Sequence, residues 1–134
     1  MSQRARFVLW LAVIILVTFS YDLVTMPHPH WRRVAWVPFA TGIVRPGDML
    51  LNVLLYVPFG VFFPRRNWSA VALGIPCAFA LSSLLELSQV WSHERFPSAT
   101  DVAMNVSGAA VGLWLASRRR AGGDSARLSE AATR

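Results

Sequence analysis

The strongest constraint on the fold of this chain is a set of four long apolar segments, separated by short stretches that carry its arginines. The segments cover about residues 7–24, 49–63, 70–90 and 100–117. A transmembrane helix needs about twenty mostly apolar residues, and the chain is 54% hydrophobic but only 15% charged. A soluble domain is about one quarter charged. We therefore expect an all-α membrane protein, a bundle of four transmembrane helices that forms one domain over residues 1–120.

The stretches outside the apolar segments have distinct compositions. Arg4 and Arg6 precede the first segment as in a signal peptide, but no small-residue cleavage site follows, so we expect a retained first helix. The connection over residues 25–47 contains four prolines, which predict either a short surface helix or a loop that folds back over the bundle. Residues 121–134 are small and polar, and we expect a disordered cytoplasmic tail.

The placement of the arginines predicts the orientation of the chain. All 13 basic residues are arginines, and the net charge is +6. With both termini in the cytoplasm, seven arginines near the helix ends are cytoplasmic and four are external, as the positive-inside rule favours. We expect a multi-pass membrane protein with membrane lipids as partners. Arginines in small groups between apolar runs do not form the basic face that nucleic acid requires.

In this orientation, polar side chains from several helix ends fall at one depth, in the outer part of the membrane. Polar groups inside a bilayer are costly and usually have a partner or a task. Ser82, Glu86 and Gln89 follow an i, i+4, i+7 pattern on the third helix, and Asp101 and Asn105 share a face of the fourth. We therefore predict an outward-facing polar pocket, and its expected lining is Asn52, Glu86, Gln89, Arg95, Asp101 and Asn105.

Four further residues are expected to serve helix packing. Gly108 and Gly112 form a G-x-x-x-G motif, which allows a neighbouring helix to approach closely. Pro58 lacks a backbone N–H and is expected to bend the second helix next to Gly60. For the start of the fourth helix, either Thr100 or Asp101 is the expected capping residue.

Several motifs of this chain occur together in a known family. They are Pro38-Phe39, Asp48-x3-Asn52-Val-Leu-Leu-Tyr-Val-Pro58-Phe-Gly60, Glu86-x-x-Gln89, Arg95 and Asp101-x3-Asn105-x2-Gly108-x3-Gly112. Over about residues 7–117 the chain resembles the VanZ-like membrane proteins, whose namesake is linked to low-level resistance to the glycopeptide antibiotic teicoplanin. Trp36 and Ser98 depart from the family pattern, since relatives often have asparagine and some have an acidic residue there. The resemblance implies a role at the cell envelope and supplies no established catalytic residue.

The individual polar residues allow two interpretations each. Glu86 is either a general base or ligand-positioning carboxylate, or a structural partner of Arg95 or Asn105. The outer arginines suit either a phosphate headgroup or contact with bulk anionic lipid. His28 and His30 are too few for a metal site, and we expect neither a metal nor a cofactor.

Three hypotheses for the function follow. The leading one is a membrane protein whose outward-facing pocket binds a lipid or lipid-linked component of the cell envelope, or modulates its exposure. The first alternative is an enzyme acting on a lipid phosphate with Glu86 as base, which is less favoured because the chain lacks an evident nucleophile or metal-ligand set. The second alternative is a structural accessory subunit in which the polar cluster holds helices together. A transporter is least favoured, because no inverted repeat is visible.

Overall fold

The computed structural model describes residues 1–20, 28–40, 45–64, 68–92 and 96–132. Over these ranges the chain forms four helices, α1 (Gln3–Ser20), α2 (Pro46–Phe62), α3 (Trp68–Ser88) and α4 (Ala99–Ala132). Two 3-10 turns, Trp31–Arg33 and Gln89–Trp91, follow α1 and α3 in the chain. The described residues contain no strand, only an isolated bridge between Ala35 and Ser98. The predicted all-α class is therefore confirmed.

Each helix packs mainly on one or two neighbours, in the spatial order α1, α2, α4, α3. α1 runs antiparallel to α2, because Gln3 at its start bonds Phe63 and Trp10 bonds Leu55 further along. The Trp10 indole Nε1 donates to the Leu55 carbonyl oxygen at 2.7 Å, one turn before Pro58. Proline disturbs the helical hydrogen bonds of the preceding turn, and this indole supplies a donor there.

Aromatic rings fill the contact between α1 and α2. The Phe7 ring lies 5.2 Å from the Phe59 ring and 5.5 Å from the Phe63 ring, centroid to centroid. Phe59 also lies 5.8 Å from Tyr56. Such aromatic pairs add about 0.5–1.5 kcal/mol beyond the area they bury, so this cluster fixes α1 against α2.

α2 and α4 run parallel and touch backbone to backbone. A Cβ atom added at Gly108 would collide with the carbonyl of Val53, and one added at Gly112 would collide with the carbonyl of Val57. From the other side, a Cβ at Gly60 would lie 2.6 Å from the Leu113 nitrogen. Helices approach this closely only where side chains are absent, so three glycines set the distance between α2 and α4.

α3 packs antiparallel against the other side of α4, through side chains. A Cβ at Gly74 would lie 2.8 Å from Leu113 Cδ1, and further along Asn105 contacts Ser82. The two neighbours of α4 are therefore held differently, α2 through backbone contact and α3 through side chains.

The outer surfaces of the helices are strongly apolar. Large exposed side chains include Leu16 (70% exposed), Leu51 (65%) and Leu84 (68%). Soluble monomers rarely expose apolar surface on this scale, and lipid-facing helices do. By length and composition, one described stretch, Ala72–Trp91, is apolar enough to cross a membrane, and Pro46–Phe62 is a shorter apolar helix.

The ends of the predicted segments differ from the helix ends. α1 begins at Gln3 rather than residue 7, since arginine continues a helix well, and residues 21–24 of the predicted span lie outside the described residues. α4 continues to Ala132, well beyond the apolar run that ends at residue 117. The predicted disorder of residues 121–134 and the domain boundary at residue 120 stay predictions.

Candidate functional site

The start of α4 is capped jointly by its own chain and by α3. Ser98 Oγ accepts a hydrogen bond from the Thr100 backbone N–H at 3.2 Å, which makes Ser98 the capping residue. The Ser98 backbone N–H donates to Glu86 Oε2 at 3.0 Å. In a capping box a glutamate of the same helix supplies that acceptor, whereas here it comes from α3. The prediction that Thr100 or Asp101 is the cap is wrong, because the helix begins at Ala99, one residue before Thr100.

The segment 28–40 folds back over this end of the bundle. The His30 N–H donates to the Val90 carbonyl at 3.0 Å, in the 3-10 turn that follows α3. Ala35 pairs with the start of α4, since its N–H donates to the Pro97 carbonyl and its carbonyl accepts from the Ala99 N–H, both at 2.9 Å. The fold-back loop and the short surface helix, stated above as alternatives, both occur.

The same segment ends on a strained residue. Phe39 has a φ of 61°, in the left-handed region that residues with a Cβ seldom adopt. Its N–H donates to the Thr100 Oγ1 at 2.9 Å, and Thr100 is almost fully buried. A conformation of this kind persists where surrounding contacts hold it, so the Pro38-Phe39 motif is anchored to α4.

A polar pair joins the starts of α2 and α4. Asn52 Nδ2 donates to Asp101 Oδ1 at 2.7 Å, and both side chains are partly buried. The short distance is typical of a hydrogen bond to a carboxylate, which is about twice as strong as a neutral one. This bond lies at the end of the glycine-lined contact and fixes the register of the two parallel helices.

A second polar group is buried between α2, α3 and α4. Asn105 Nδ2 donates to Ser82 Oγ at 2.9 Å, and both residues are buried. The Tyr56 hydroxyl lies near Ser82 and Glu86. Among the described residues, neither the Tyr56 hydroxyl nor Asn105 Oδ1 finds a partner within hydrogen-bond geometry. Unpaired buried polar atoms are uncommon, so this interior is polar without being fully satisfied.

Next to this polar group, a groove of about 560 Å³ opens between α3, α4 and the fold-back segment. Its walls are almost entirely apolar, and its polar residues are Ser83, Glu86 and Ser98. The full lining is Val34, Ala35, Trp36, Pro38, Phe79, Ser83, Glu86, Leu87, Pro97, Ser98, Ala99, Val102, Ala103 and Val106. The volume lies within the range of about 300–1,000 Å³ of small-molecule pockets.

Residues 6–120 match the family model described as VanZ/LLP1. This chain belongs to the VanZ/LLP1 family. No curated protein and no solved structure gives a significant match. The matched range contains the groove, the capped start of α4 and the glycines between α2 and α4, so the features described above lie within the VanZ/LLP1 region.

The predicted polar residues of this VanZ/LLP1 protein divide into three places. Glu86 lines the groove, while Asn52 and Asp101 lie at the contact between α2 and α4. Gln89 and Asn105 are buried, 3% and 6% exposed, and do not line the groove. Arg95 lies outside the described residues. Within the described residues, no three potential metal ligands among histidine, cysteine, aspartate and glutamate come together.

Sequence reasoning missed the groove and two of the polar residues that line it, Ser83 and Ser98. Ser98 was noted only as a departure from the family pattern, yet it links Glu86 to α4 through its backbone. A Ser-x-x-Asp sequence, Ser98 to Asp101, precedes the fourth apolar segment and is a capping signature. That signal was available. The apolar walls gave no signal, because they have the same composition as lipid-facing surface.

Proposed function

We propose that this protein is a four-span protein of the bacterial inner membrane that binds a lipid or lipid-linked component of the cell envelope. Both termini lie in the cytoplasm, and the polar end formed by the start of α4 and the end of α3 faces outward. The VanZ/LLP1 family, the apolar helix surfaces and the arginine distribution support this placement. The bound component occupies the groove between α3 and α4.

The groove carries the proposal, because it combines an apolar trough with a polar end. Phe79, Val102 and Val106 offer a surface for an acyl or isoprenoid chain. Glu86 and Ser98 stand where the headgroup would enter. An apolar trough accepts a hydrocarbon chain without leaving a polar group unpaired, whereas a small polar ligand would lose hydrogen bonds there.

The chemistry of the polar end selects the headgroup atoms that can lie against it. An ionised carboxylate only accepts hydrogen bonds, whereas a hydroxyl both donates and accepts. Glu86 therefore favours a donor, such as a sugar hydroxyl or an ammonium group, and disfavours direct contact with a phosphate. A phosphate would lie farther out, where Arg33 stacks over the Phe96 ring at 5.0 Å.

Filling the groove tests this proposal. Ala103→Phe places a ring in the trough, whereas Ala80→Phe adds the same ring to an exposed position of α3 outside the lining. We expect a photoactivatable undecaprenyl-linked sugar lipid to crosslink to the unmodified protein and to Ala80→Phe. Crosslinking to Ala103→Phe should be about tenfold weaker, a loss of about 1.4 kcal/mol in binding free energy, because the added ring occupies the trough.

A thermal melt of each variant shows whether it is folded, and Val106→Phe serves as a second filling variant. Equal crosslinking of the filled and control variants in their folded forms would refute the groove as the binding site. A change in teicoplanin sensitivity of cells that carry Ala103→Phe, but not Ala80→Phe, would connect the groove to resistance.

The proposed orientation has its own test. In a Cys77→Ser background, single cysteines replace Trp36 in the fold-back segment and Arg119 in the later part of α4. A membrane-impermeant maleimide should label position 36 on intact spheroplasts and position 119 only after the membrane is opened. The opposite labelling pattern would invert the bundle and place the groove entrance in the cytoplasm.

A second candidate, a structural subunit, is favoured by one observation. Glu86 accepts a hydrogen bond from the backbone of Ser98, which is a packing role that needs no ligand. If this role is the whole function of Glu86, Glu86→Gln lowers the melting temperature, and any loss of envelope function is in proportion to that loss of stability. If the groove binds a ligand, Ala103→Phe loses the phenotype while its melting temperature is retained.

A further inference from the structure

The opposite end of the bundle carries a second cavity with different chemistry. It measures about 380 Å³ and lies between the start of α1, the end of α2 and the later part of α4. Arg6 and Arg119 line it from two different helices, and Val61 and Phe62 form an apolar side. Since α1 is antiparallel to α2 and α4 is parallel to it, these residues meet at the end farthest from Asn52 and Asp101.

The described side chains at this end carry charge of one sign. Among the side chains that the structure describes, the acidic ones are Asp48, Glu86 and Asp101, and they belong to the start of α2, the end of α3 and the start of α4. None of them lies on the helix segments that surround this cavity. The start of α1 adds the positive end of its helix dipole. Arg6 and Arg119 therefore face a site whose described surroundings carry no neutralising charge.

The cavity also lies at a level suited to lipid headgroups. Arg118, next to Arg119, stacks over the Trp114 ring at 4.7 Å. Tryptophan is enriched at the membrane–water boundary, and an arginine beyond it extends its charged head towards the water. Gln3 holds the wall in place, because its Nε2 donates to the Phe63 carbonyl at 3.0 Å and ties α1 to the end of α2.

We propose that this cavity binds the phosphate headgroup of an anionic phospholipid of the surrounding bilayer, held between Arg6 and Arg119. Guanidinium forks bind phosphate oxygens in a bidentate manner, and two forks on separate helices can grip one headgroup from both sides. Val61 and Phe62 then contact the glycerol and the first methylenes of the chains. The lipid would link α1 to α4, which contact each other little directly.

This inference rests on the membrane placement proposed above but not on the ligand of the groove. The test uses the purified full-length chain in a zwitterionic detergent and native mass spectrometry with phosphatidylglycerol or phosphatidylcholine of equal chain length. We expect the unmodified protein to prefer phosphatidylglycerol. Arg6→Gln with Arg119→Gln should weaken that binding by about 25-fold, since an arginine near an anionic surface contributes about fivefold, and should leave phosphatidylcholine binding unchanged.

The matched control removes the same charge from the other end. Arg32→Gln with Arg45→Gln should keep the preference for phosphatidylglycerol, because both residues lie in or beside the fold-back segment and the start of α2. Arg6→Lys with Arg119→Lys should lose only part of the preference for phosphatidylglycerol, since lysine keeps the charge but not the planar fork of donors. This conservative pair also separates a binding defect from a folding defect.

Three results would overturn the proposal. An equal loss in both glutamine pairs would show a general effect of net charge. Equal binding of the two lipids by the unmodified protein would exclude an anionic site. Inorganic phosphate that displaces phosphatidylglycerol at millimolar concentration would indicate a soluble anion as the ligand. Ala103→Phe should retain the preference, so a failed groove proposal and a failed headgroup proposal give different results.

Discussion

The two sides of α4 show how one helix can be sealed on one face and open on the other. Towards α2, Gly108 and Gly112 bring the backbones into direct contact and leave no space. Towards α3, the side chains of Leu113 and Asn105 hold the helices apart, and a groove of about 560 Å³ remains. Backbone contact excludes a ligand, whereas side-chain contact can leave room for one.

The polar residues follow the same division. Asn52 and Asp101 close the sealed contact with one short hydrogen bond. Glu86, on the open side, has one oxygen in a backbone hydrogen bond and also lines the groove. The comparison indicates that the α2–α4 contact maintains the fold, and that the α3–α4 contact combines a structural role with an open groove.

The largest effect is expected in the sealed contact. Gly112→Ala adds a Cβ against the Val57 carbonyl and at 2.9 Å from Val61 N, neither of which can rotate away. We expect a loss of about 3 kcal/mol in unfolding free energy, at the upper end of overpacking costs. Gly47→Ala is the control, since nothing lies within 4 Å of its added Cβ. Unfolding in detergent mixtures measures both, and similar values would mean that α2 and α4 are not in backbone contact.

The next effect concerns the hydrogen bond that joins α3 to the start of α4. Glu86→Ala removes the acceptor of the Ser98 N–H, and we expect a loss of about 2 kcal/mol, as for hydrogen bonds to charged groups. Glu86→Gln has a side chain of the same length that still carries an acceptor oxygen. It should lose about half as much unfolding free energy. Amide hydrogen exchange at Ser98 reports the bond directly. Unchanged protection in Glu86→Ala would show that Glu86 does not cap α4.

A smaller effect is expected at the polar end of the sealed contact. Asn52→Ala removes the donor to Asp101 and should cost about 1–2 kcal/mol. Asp101→Ala should cost a similar amount or more. A double-mutant cycle should give a coupling of about 1 kcal/mol between the two side chains. Additive losses would mean that each residue stabilises its own helix without fixing the register between them.

The smallest effect is expected from the glycine on the open side. A Cβ at Gly74 meets only Leu113 side-chain carbons, the nearest at 2.8 Å, and these are the movable end of a side chain rather than backbone. Alanine also favours the helix by about 1 kcal/mol over glycine, so Gly74→Ala should change stability by less than about 0.5 kcal/mol. A loss as large as that of Gly112→Ala would contradict the difference between the two contacts.

The helices themselves follow from sequence patterns, because apolar length and breaker residues act locally. Pro46 and Pro64 frame α2, and the expected third segment, residues 70–90, agrees with α3 and its terminal turn within a few residues. The patterns marked where apolar sequence stops and not where the helix stops. Arg4 and Arg6 therefore lie inside α1, and α4 continues past the arginines at 118–120.

The candidate site was predictable in composition but not in arrangement. Helical spacing predicted that Ser82 and Glu86 share one face of α3. In the structure, Ser82 accepts a hydrogen bond from Asn105 of α4, and Glu86 accepts one from Ser98 at the start of α4. Spacing within a helix does not state which neighbour that face meets. Asn105 bonds Ser82, and Asn52 pairs with Asp101 across α2 and α4.

The sequence alone determined that this chain forms apolar helices, that its glycines permit a close helix contact, and that its polar residues concentrate near a few helix ends. Those properties depend on residue type and on spacing along a single helix. The tertiary structure decided that α4 is sealed against α2 and open towards α3, and that residues 28–40 form a wall of the groove. A groove is the space left between surfaces whose relative rotation and offset no single helix encodes, so only packing could define it.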